Sequence, residues 1–374
     1  MIRRWGPGIV GVFGVASLIA LSGCASAGDA PVAQPPGTSS PSATAATASG
    51  TVPLTCDAIV DPALVDQALQ SASAPANFQH LWLVKRGYDE VRSYAVEAAG
   101  GLSCAWTASP DSADAPWLQV SVLPDSPASV SPYLFGDAPT DQTRRFGTRT
   151  VTAACGDPGC GAMAVVNGRW VDIRLNIPGL GTTGTPLGSI DTIFDQASPA
   201  LAAIFDTLAS ATPAQVAWPT TSTLNAVEQE GRMTGDALCV ASLRASDLGV
   251  ALGDPTVSWQ LATTPPALRG ISDLALDRMG AVQCQASGPH YVQMTIAPGN
   301  AWIAGDIGTN PRARRVFEKT RLIGQVEPEA TFSDCAPGDP SDCTAILSLG
   351  TGAVSVTGSG GSRAIAEAIT SYAR

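Results

Sequence analysis

The alternation of hydrophobic and polar residues predicts an ordered series of helices and strands. The series begins with a helix, because Asp61-Pro62 combines an N-cap residue with Pro at the first helical position. The apolar residues after it fall on one helical face: Leu64, Val65, Ala68 and Leu69. Strands follow around Cys104 and over residues 117–122, where apolar and polar side chains alternate.

A hairpin and a second helix complete this series. The hairpin is predicted over residues 162–166 and 169–175, because Asn167-Gly168 favours a two-residue turn. The closing helix is predicted near residues 189–210, with an interruption at Pro199.

The same order of signals occurs again in the second part of the chain. Ser246 is predicted to cap a helix that stops at Gly253. Strands are expected around Cys284 and over residues 291–296. A hairpin follows over residues 345–357 with its turn at Gly350-Thr351-Gly352, and a helix over residues 363–372 ends the series. A further short helix is predicted around residues 224–233.

Cysteine spacing supports an internal duplication. Eight cysteines form two sets of four with separations of 48, 51 and 5 residues and of 45, 51 and 8 residues: Cys56, Cys104, Cys155 and Cys160, then Cys239, Cys284, Cys335 and Cys343. Residues 95–104 align on residues 275–284 without a gap, and Gly-Asp-Pro lies between the last two cysteines of each set. We therefore predict two tandem similar α+β domains, each a small antiparallel sheet packed against helices on one side.

Each predicted domain should contain two disulfides. The short spacing across Gly-Asp-Pro favours the pairs Cys155–Cys160 and Cys335–Cys343, which leaves Cys56–Cys104 and Cys239–Cys284. Zinc binding is the alternative use of these cysteines. We expect no metal, because the chain has only two histidines and no Cys-x₂-Cys motif.

The amino-terminal segment predicts export and lipidation. Arg3 and Arg4 precede an apolar run that is too short to cross a bilayer and ends in Leu21-Ser22-Gly23-Cys24. This sequence resembles the lipobox of bacterial lipoproteins, and the resemblance implies cleavage before Cys24, a diacylglyceryl group on its sulfur and a possible acyl chain such as palmitate on its amino group. A plain secretory signal is the alternative. The export route, general secretory or twin-arginine, stays open.

The predicted boundaries follow from these segments. Residues 1–23 are the lipoprotein signal peptide, and residues 24–52 are the lipidated cysteine and a disordered tether rich in Ala, Pro, Ser and Thr. The first domain covers residues 53–210, and the second domain covers residues 236–374. Between them, residues 211–235 form a linker that contains a short helix.

The folded part resembles a known family. A cysteine before a capped helix, followed by Cys104-Ala105-Trp106 in a strand and a final hairpin and helix, is similar to actinobacterial lipoprotein domains of unknown function. The second copy matches the family's opening at residues 239–243 and departs from it at Cys284-Gln285-Ala286, which lacks the Trp. A more distant likeness is to the disulfide-bonded extracellular sensor domains of mycobacterial serine/threonine kinases. These resemblances imply an exported, non-catalytic binding or sensing domain and supply no catalytic residue.

Composition narrows the function classes. A formal net charge of −11 disfavours nucleic-acid binding, and 14% charged residues with 45% hydrophobic residues indicate a folded chain. No Gly-x-Ser-x-Gly motif is present, so a hydrolase of that type is unsupported. The side chains considered for chemistry or binding are His80, His290, the aspartates Asp334, Asp339 and Asp342, the glycine-rich residues 358–362, and the basic residues 312–315. We interpret each of them as structural or solvated.

The sequence therefore predicts a non-enzymatic lipoprotein without a cofactor on the outer face of the cell membrane. It would bind a small ligand or an envelope protein, with a cleft between the domains as the expected site. Trp106 and Trp170 are predicted core residues, and Trp218 is predicted to be exposed in the linker beside that cleft. The alternatives are a structural or assembly factor of the envelope and an unrecognised extracellular hydrolase.

Overall fold

The computed structural model describes most of the chain after residue 51. The described residues are 52–76, 90–109, 115–124, 143–156, 159–178, 189–220, 239, 245–262, 270–287, 292–309, 318–320, 331–333, 343–358 and 365–367. They all belong to one unit, Gly50–Arg374. We call the described residues up to 220 the first half and those from 239 onward the second half.

The first half contains four α-helices, a 3₁₀ helix at Ala214–Val216 and seven strands among its described residues. The helices are α1 (Cys56–Ile59), α2 (Pro62–Leu69), α3 (Glu90–Ala98) and α4 (Ile190–Ser210). The strands are β1 (Ala74–Ala76), β2 (Leu102–Thr107), β3 (Trp117–Leu123), β4 (Thr143–Phe146), β5 (Arg149–Gly156), β6 (Gly159–Val166) and β7 (Arg169–Asn176). They form one antiparallel sheet in the order β1-β2-β3-β7-β6-β5-β4.

The second half contains a sheet of the same size. Its helices are α5 (Ala245–Leu252), α6 (Ile271–Arg278) and α7 (Trp302–Thr309), and residues 365–367 are also helical. Its strands are β8 (Trp259–Leu261), β9 (Val282–Ala286), β10 (Val292–Ala297), β11 (Glu318–Thr320), β12 (Thr331–Ser333), β13 (Cys343–Leu349) and β14 (Gly352–Gly358). They are antiparallel in the order β11-β12-β13-β14-β10-β9-β8.

Local sequence explains several element boundaries. The Asp61 side chain accepts a hydrogen bond from the Ala63 amide at the start of α2, as the capping signal predicts. Asn167 and Gly168 both have positive φ in the turn between β6 and β7, which confirms the predicted two-residue hairpin turn. Helix α5 ends before Gly253, whose φ is +68°.

The prediction that helix α4 is interrupted at Pro199 is wrong. The helix is continuous over 21 residues, and Pro199 lies on its exposed side. Proline removes one backbone hydrogen bond there, but the opposite side packs into the core along the whole helix through residues such as Phe194, Leu201 and Phe205. Tertiary packing therefore outweighs the local cost of the proline.

Two smaller predictions about boundaries in the second half are also corrected. Helix α5 includes Ala245, so Ser246 lies in its first turn and is not the N-cap; alanine has a high helix propensity and extends the helix. In the hairpin, Gly352 already pairs with Leu349, so the turn contains only Gly350 and Thr351. The predicted helix at residues 224–233 lies outside the described residues, as does most of the predicted helix at residues 363–372.

Helices cover both faces of the first sheet, which corrects the expectation of helices on one side. Strand β7 shows the division: Val171, Ile173 and Leu175 belong to the core with α1, α2 and α4, whereas Trp170 on the opposite face packs in the cluster that contains α3. Both faces of this seven-stranded sheet carry apolar side chains, and each needs cover from water.

The junction between α3 and β2 should tolerate no added side-chain volume. A Cβ atom at Gly101 would lie 2.5 Å from the Val122 carbonyl oxygen and 2.8 Å from that of Val96. Because backbone atoms cannot move aside freely, we expect Gly101→Ala to lower the free energy of unfolding by about 3 kcal/mol. Denaturant unfolding measures this change. The control is Gly305→Ala in α7, where nothing lies within 4 Å; it should raise stability by about 0.5–1 kcal/mol.

Asp66 should make the turn after α2 sensitive to pH. Its Oδ1 atom accepts hydrogen bonds from the Ser73 amide at 2.8 Å and the Ser73 hydroxyl at 2.6 Å. The hydroxyl, followed by the amide, holds the pKa of Asp66 below its usual value. A lowered folded-state pKa adds stability above the unfolded pKa, and that stability is lost as pH falls through the folded pKa.

We therefore expect Asp66→Asn to lower the denaturation midpoint at about pH 7 and to change it less at about pH 2.5. Ser73→Ala, which removes the stronger donor, should reproduce the direction of the effect. If Asp66→Asn lowered the denaturation midpoint by the same amount at both pH values, the pH-dependent stability could not be attributed to the Asp66 carboxylate.

Candidate functional site

Three disulfides connect the elements around the sheets. Cys56–Cys104 joins α1 to β2, Cys155–Cys160 joins the adjacent strands β5 and β6, and Cys239–Cys284 joins residue 239 to β9. These are three of the four pairs predicted from cysteine spacing. The fourth, Cys335–Cys343, stays a prediction because Cys335 lies outside the described residues.

The two halves meet at a buried apolar cluster, which we call the central layer. Helix α3 of the first half packs directly against α6 of the second half. Side chains from both sheets and from α7, among them Ile303, Ala304 and Ile307, complete the layer. Its members from the two helices and sheets include Val91, Ala95, Val96, Leu123, Met163, Trp170, Ile271, Ala275, Leu276, Ala297, Ile346 and Ala353.

Polar contacts connect the two halves at the border of the central layer. Arg92 and Asp273 form an ion pair of 2.6 Å, and Asp273 is 5% exposed. The other Asp273 oxygen accepts a hydrogen bond from the Gly270 amide at 2.7 Å, so this carboxylate also caps α6. The Arg278 guanidinium donates to the Pro124 carbonyl oxygen from the other half.

Tyr94 forms another contact between the halves. Its hydroxyl donates to Asp306 Oδ2 at 2.7 Å, and its ring meets the Trp302 ring edge-on with centroids 5.5 Å apart. Tyr94 lies on α3 and both partners lie on α7. The described residues of the two halves therefore meet through ring and hydrogen-bond contacts as well as through the apolar cluster.

A row of polar side chains crosses the first sheet on the face turned toward the central layer. Ser103, Ser121 and Asp172 lie directly opposite one another on β2, β3 and β7, and Gln119 lies opposite Arg174 in the next row. We call these five residues the inner polar strip. They share this face with Leu123, Met163 and Trp170 of the central layer, because alternate residues of a strand point to the same side.

Asp172 is the most unusual member of the inner polar strip. Its side chain is 5% exposed, and its Oδ2 atom contacts the guanidinium of Arg174 at 3.3 Å. Its Oδ1 atom is buried without a hydrogen-bond partner in the described structure, and the same holds for the Ser103 hydroxyl. Leaving such groups unpaired costs about 1–3 kcal/mol each and more for a charged group. The strip is therefore suited to accept hydrogen bonds from a bound N–H or O–H donor.

The second sheet has no charges at the corresponding positions. In the strand order that the two sheets share, β10 corresponds to β3 and β14 corresponds to β7. Ser355 on β14 lies opposite Thr295 on β10, just as Asp172 on β7 lies opposite Ser121 on β3, so Ser355 corresponds to Asp172. Thr357 likewise corresponds to Arg174. Because hydroxyl side chains occupy this place in one sheet, the fold itself does not require a carboxylate there.

The structure also places some of the residues considered from sequence. Trp106 and Trp170 are buried, which confirms their prediction as core residues. Trp218 is not the exposed linker residue that we expected: its Nε1 atom donates to the Leu54 carbonyl oxygen at 2.8 Å, and its ring packs on the core of the first half. The backbone of the same segment is held to Leu54 through Gln215.

The remaining candidates lie outside the described residues: Cys24, His80, His290, residues 312–315, Asp334, Asp339 and Asp342, and residues 359–362. Within the part of the chain that is described, no three His, Cys, Asp or Glu side chains cluster as metal ligands. Likewise, none of the described helices is both long and apolar enough to span a membrane.

Sequence reasoning missed the inner polar strip and the role of α3. Asp172 and Arg174 alternate with apolar residues in β7, which normally indicates a solvent-facing side of the strand. The gapless match between residues 95–104 and 275–284 was the available signal for α3, because it includes the end of α3 and the end of α6.

Comparisons with known proteins add no assignment. The chain matches no family model, no curated protein and no solved structure.

Replacing Asp172 with the residue type of the second sheet tests whether the carboxylate is structural. We expect Asp172→Ser to raise the free energy of unfolding by about 1 kcal/mol, because removing the buried unpaired Oδ1 atom outweighs the loss of the 3.3 Å contact with the partly exposed Arg174. Ser355→Ala in the second sheet is the control for a hydroxyl at the matching position. A loss of more than about 2 kcal/mol in Asp172→Ser would show that the carboxylate supports the fold.

Proposed function

We propose that this protein is a lipid-anchored extracytoplasmic lipoprotein whose two tandem similar domains act as a non-catalytic binding module at the cell envelope. Cys24 would be the lipidated residue on the outer face of the cell membrane, and residues 25–52 would be a flexible tether. The likeness to actinobacterial lipoprotein domains belongs to the same proposal. No cofactor is part of it.

The disulfides carry the proposal of an extracytoplasmic location. Disulfides persist in oxidising compartments. Here two disulfides connect elements of the first half, and one connects residue 239 to β9 in the second half. The Leu21-Ser22-Gly23-Cys24 sequence supports attachment by lipid, since a diacylglyceryl group with a further acyl chain provides stable anchoring.

The shared strand order supports two similar domains. Reading each sheet from the strand nearest the domain start, β1-β2-β3-β7-β6-β5-β4 corresponds to β8-β9-β10-β14-β13-β12-β11. A disulfide reaches the second strand of this order in both sheets, at Cys104 and at Cys284. Gly100 and Gly280 follow α3 and α6 with φ of +78° and +68°. A common ancestor for the two halves explains all three agreements.

The inner polar strip supports binding over a purely structural role. Asp172 and Arg174 bring a carboxylate and a guanidinium to a largely apolar layer, and neither charge has a counterpart in the second sheet. A small polar ligand that donates N–H or O–H groups would satisfy Asp172 Oδ1 and the Ser103 hydroxyl. The intact mass of the purified protein is measured under native and under denaturing conditions. A ligand that stays bound would add its mass only to the native measurement. A bare protein that copurifies with one envelope protein would instead support the alternative, an envelope assembly factor.

Lipidation is tested by substitution of Cys24. We expect Cys24→Ala to move the protein from the membrane fraction to the soluble extracytoplasmic fraction and to remove the diacylglyceryl mass from the mature amino terminus. Ser26→Ala, two residues further on, should leave both unchanged. Membrane retention of Cys24→Ala after a high-salt wash would contradict the lipid anchor. Intact mass before and after reduction counts the disulfides, and fewer than four would contradict the complete pairing.

A further inference from the structure

We infer that the two halves meet through an isologous interface, with a pseudo-twofold axis between α3 and α6. This inference rests on the proposed duplication. In an isologous contact both partners use the same surface, so that every contact has a reciprocal one. The occupant that this surface fits is therefore a second copy of the same domain, and the chain corresponds to a homodimer joined by a linker.

Equivalent helices contact each other, which is the first requirement of such an interface. Residues 95–104 match residues 275–284 with an offset of 180 residues. With this offset, α3 is the equivalent of α6 in the other half. The two helices pack directly together. Both end in the same way: the Gly101 amide donates to the Val96 carbonyl oxygen, and the Ala281 amide donates to that of Leu276.

Two of the contacts from helix to sheet are reciprocal as well. Helix α3 of the first half packs on β10 of the second half, and α6 of the second half packs on β3 of the first half. Strands β3 and β10 are the third strands in the shared order of their sheets. A contact between two unlike surfaces has no reason to repeat in this manner.

The composition of the central layer follows the same symmetry. Five equivalent pairs come from the helices and the residues that follow them, and three come from facing strands at matching register positions. The pairs are Val91 and Ile271, Tyr94 and Leu274, Ala95 and Ala275, Val96 and Leu276, Ala99 and Met279, Leu123 and Ala297, Met163 and Ile346, and Trp170 and Ala353. Eight equivalent positions therefore contribute to the layer from both halves, and the α7 residues Ile303, Ala304 and Ile307 add to it from the second half.

Three polar contacts between the halves depart from the symmetry: Tyr94–Asp306, Arg278–Pro124 and Arg92–Asp273, and the last of them provides the test. The Arg92–Asp273 ion pair joins α3 to α6, but the positions equivalent to its members are Ser272 and Ser93. Ser93 is 5% exposed, as Asp273 is, and its hydroxyl has no hydrogen-bond partner in the described structure. A pseudo-twofold axis requires that Ser272 and Ser93 face each other as Arg92 and Asp273 do.

The decisive experiment installs the missing ion pair in the full chain. Ser93→Asp alone should lower the folding equilibrium constant about 100-fold, because it buries an unpaired carboxylate. Adding Ser272→Arg should restore at least about 10-fold of this loss, whereas Ser272→Arg alone should change the constant less than about 3-fold. Denaturant unfolding of the four proteins in a double-mutant cycle measures the coupling.

Ser93→Asp with Ser272→Gln is the matched control, because glutamine is long and polar but carries no charge. Rescue by arginine and not by glutamine supports the pseudo-twofold interface. Equal effects of the two, or failure of both double variants to fold, would overturn it. If Ser93→Asp alone does not fold, the two double variants are compared directly.

This experiment is independent of the test of the proposed function. If four disulfides and a lipid anchor are found but no charge coupling is measured, the lipoprotein proposal stands and the interface proposal falls. Coupling without a lipid anchor would retain the interface and reject the proposed location.

Discussion

The structure depends on the burial of two sheet faces against one shared layer of helices. Each seven-stranded sheet is covered on its outer face by helices of its own half, but its inner face carries apolar residues such as Met163 and Ile346. Helices α3 and α6 cover both inner faces at once, since each of them contacts strands of the opposite half. Neither inner face would be fully shielded from water without the other half.

This shared layer explains why the described residues form one unit although the sequence contains two sets of signals. Polar contacts such as Arg92–Asp273 and Tyr94–Asp306 join the halves beside the apolar cluster. The apolar area gives the association its strength, whereas the charges and hydrogen bonds determine which side chains face one another. Disulfides act within each half, where they fix α1 to β2 and β5 to β6.

The two halves differ in charge on the sheet faces that border the central layer. Eight pairs of corresponding central-layer positions are apolar in both halves, and a polar side chain at one of them would have to be accommodated by closely packed neighbours. The inner polar strip differs between the halves. Asp172 and Arg174 of the first half correspond to Ser355 and Thr357 of the second half. A buried carboxylate is costly, and the serine at the corresponding place in the second half shows that the sheet does not need one there.

The sequence by itself determined the local elements, because capping, turn and alternation signals act over a few residues. Asp61 at the start of α2, Asn167-Gly168 in the hairpin and the cysteine spacing each predicted what the structure shows. Tertiary structure decided the rest. Pro199 lies within a continuous helix because the opposite side of α4 packs in the core, and Trp218 donates a hydrogen bond to Leu54. Asp172 is buried on the sheet face that carries Met163 and Trp170, although the strand pattern indicates solvent there. These outcomes depend on side chains far away in the sequence, and a local pattern contains no information about them.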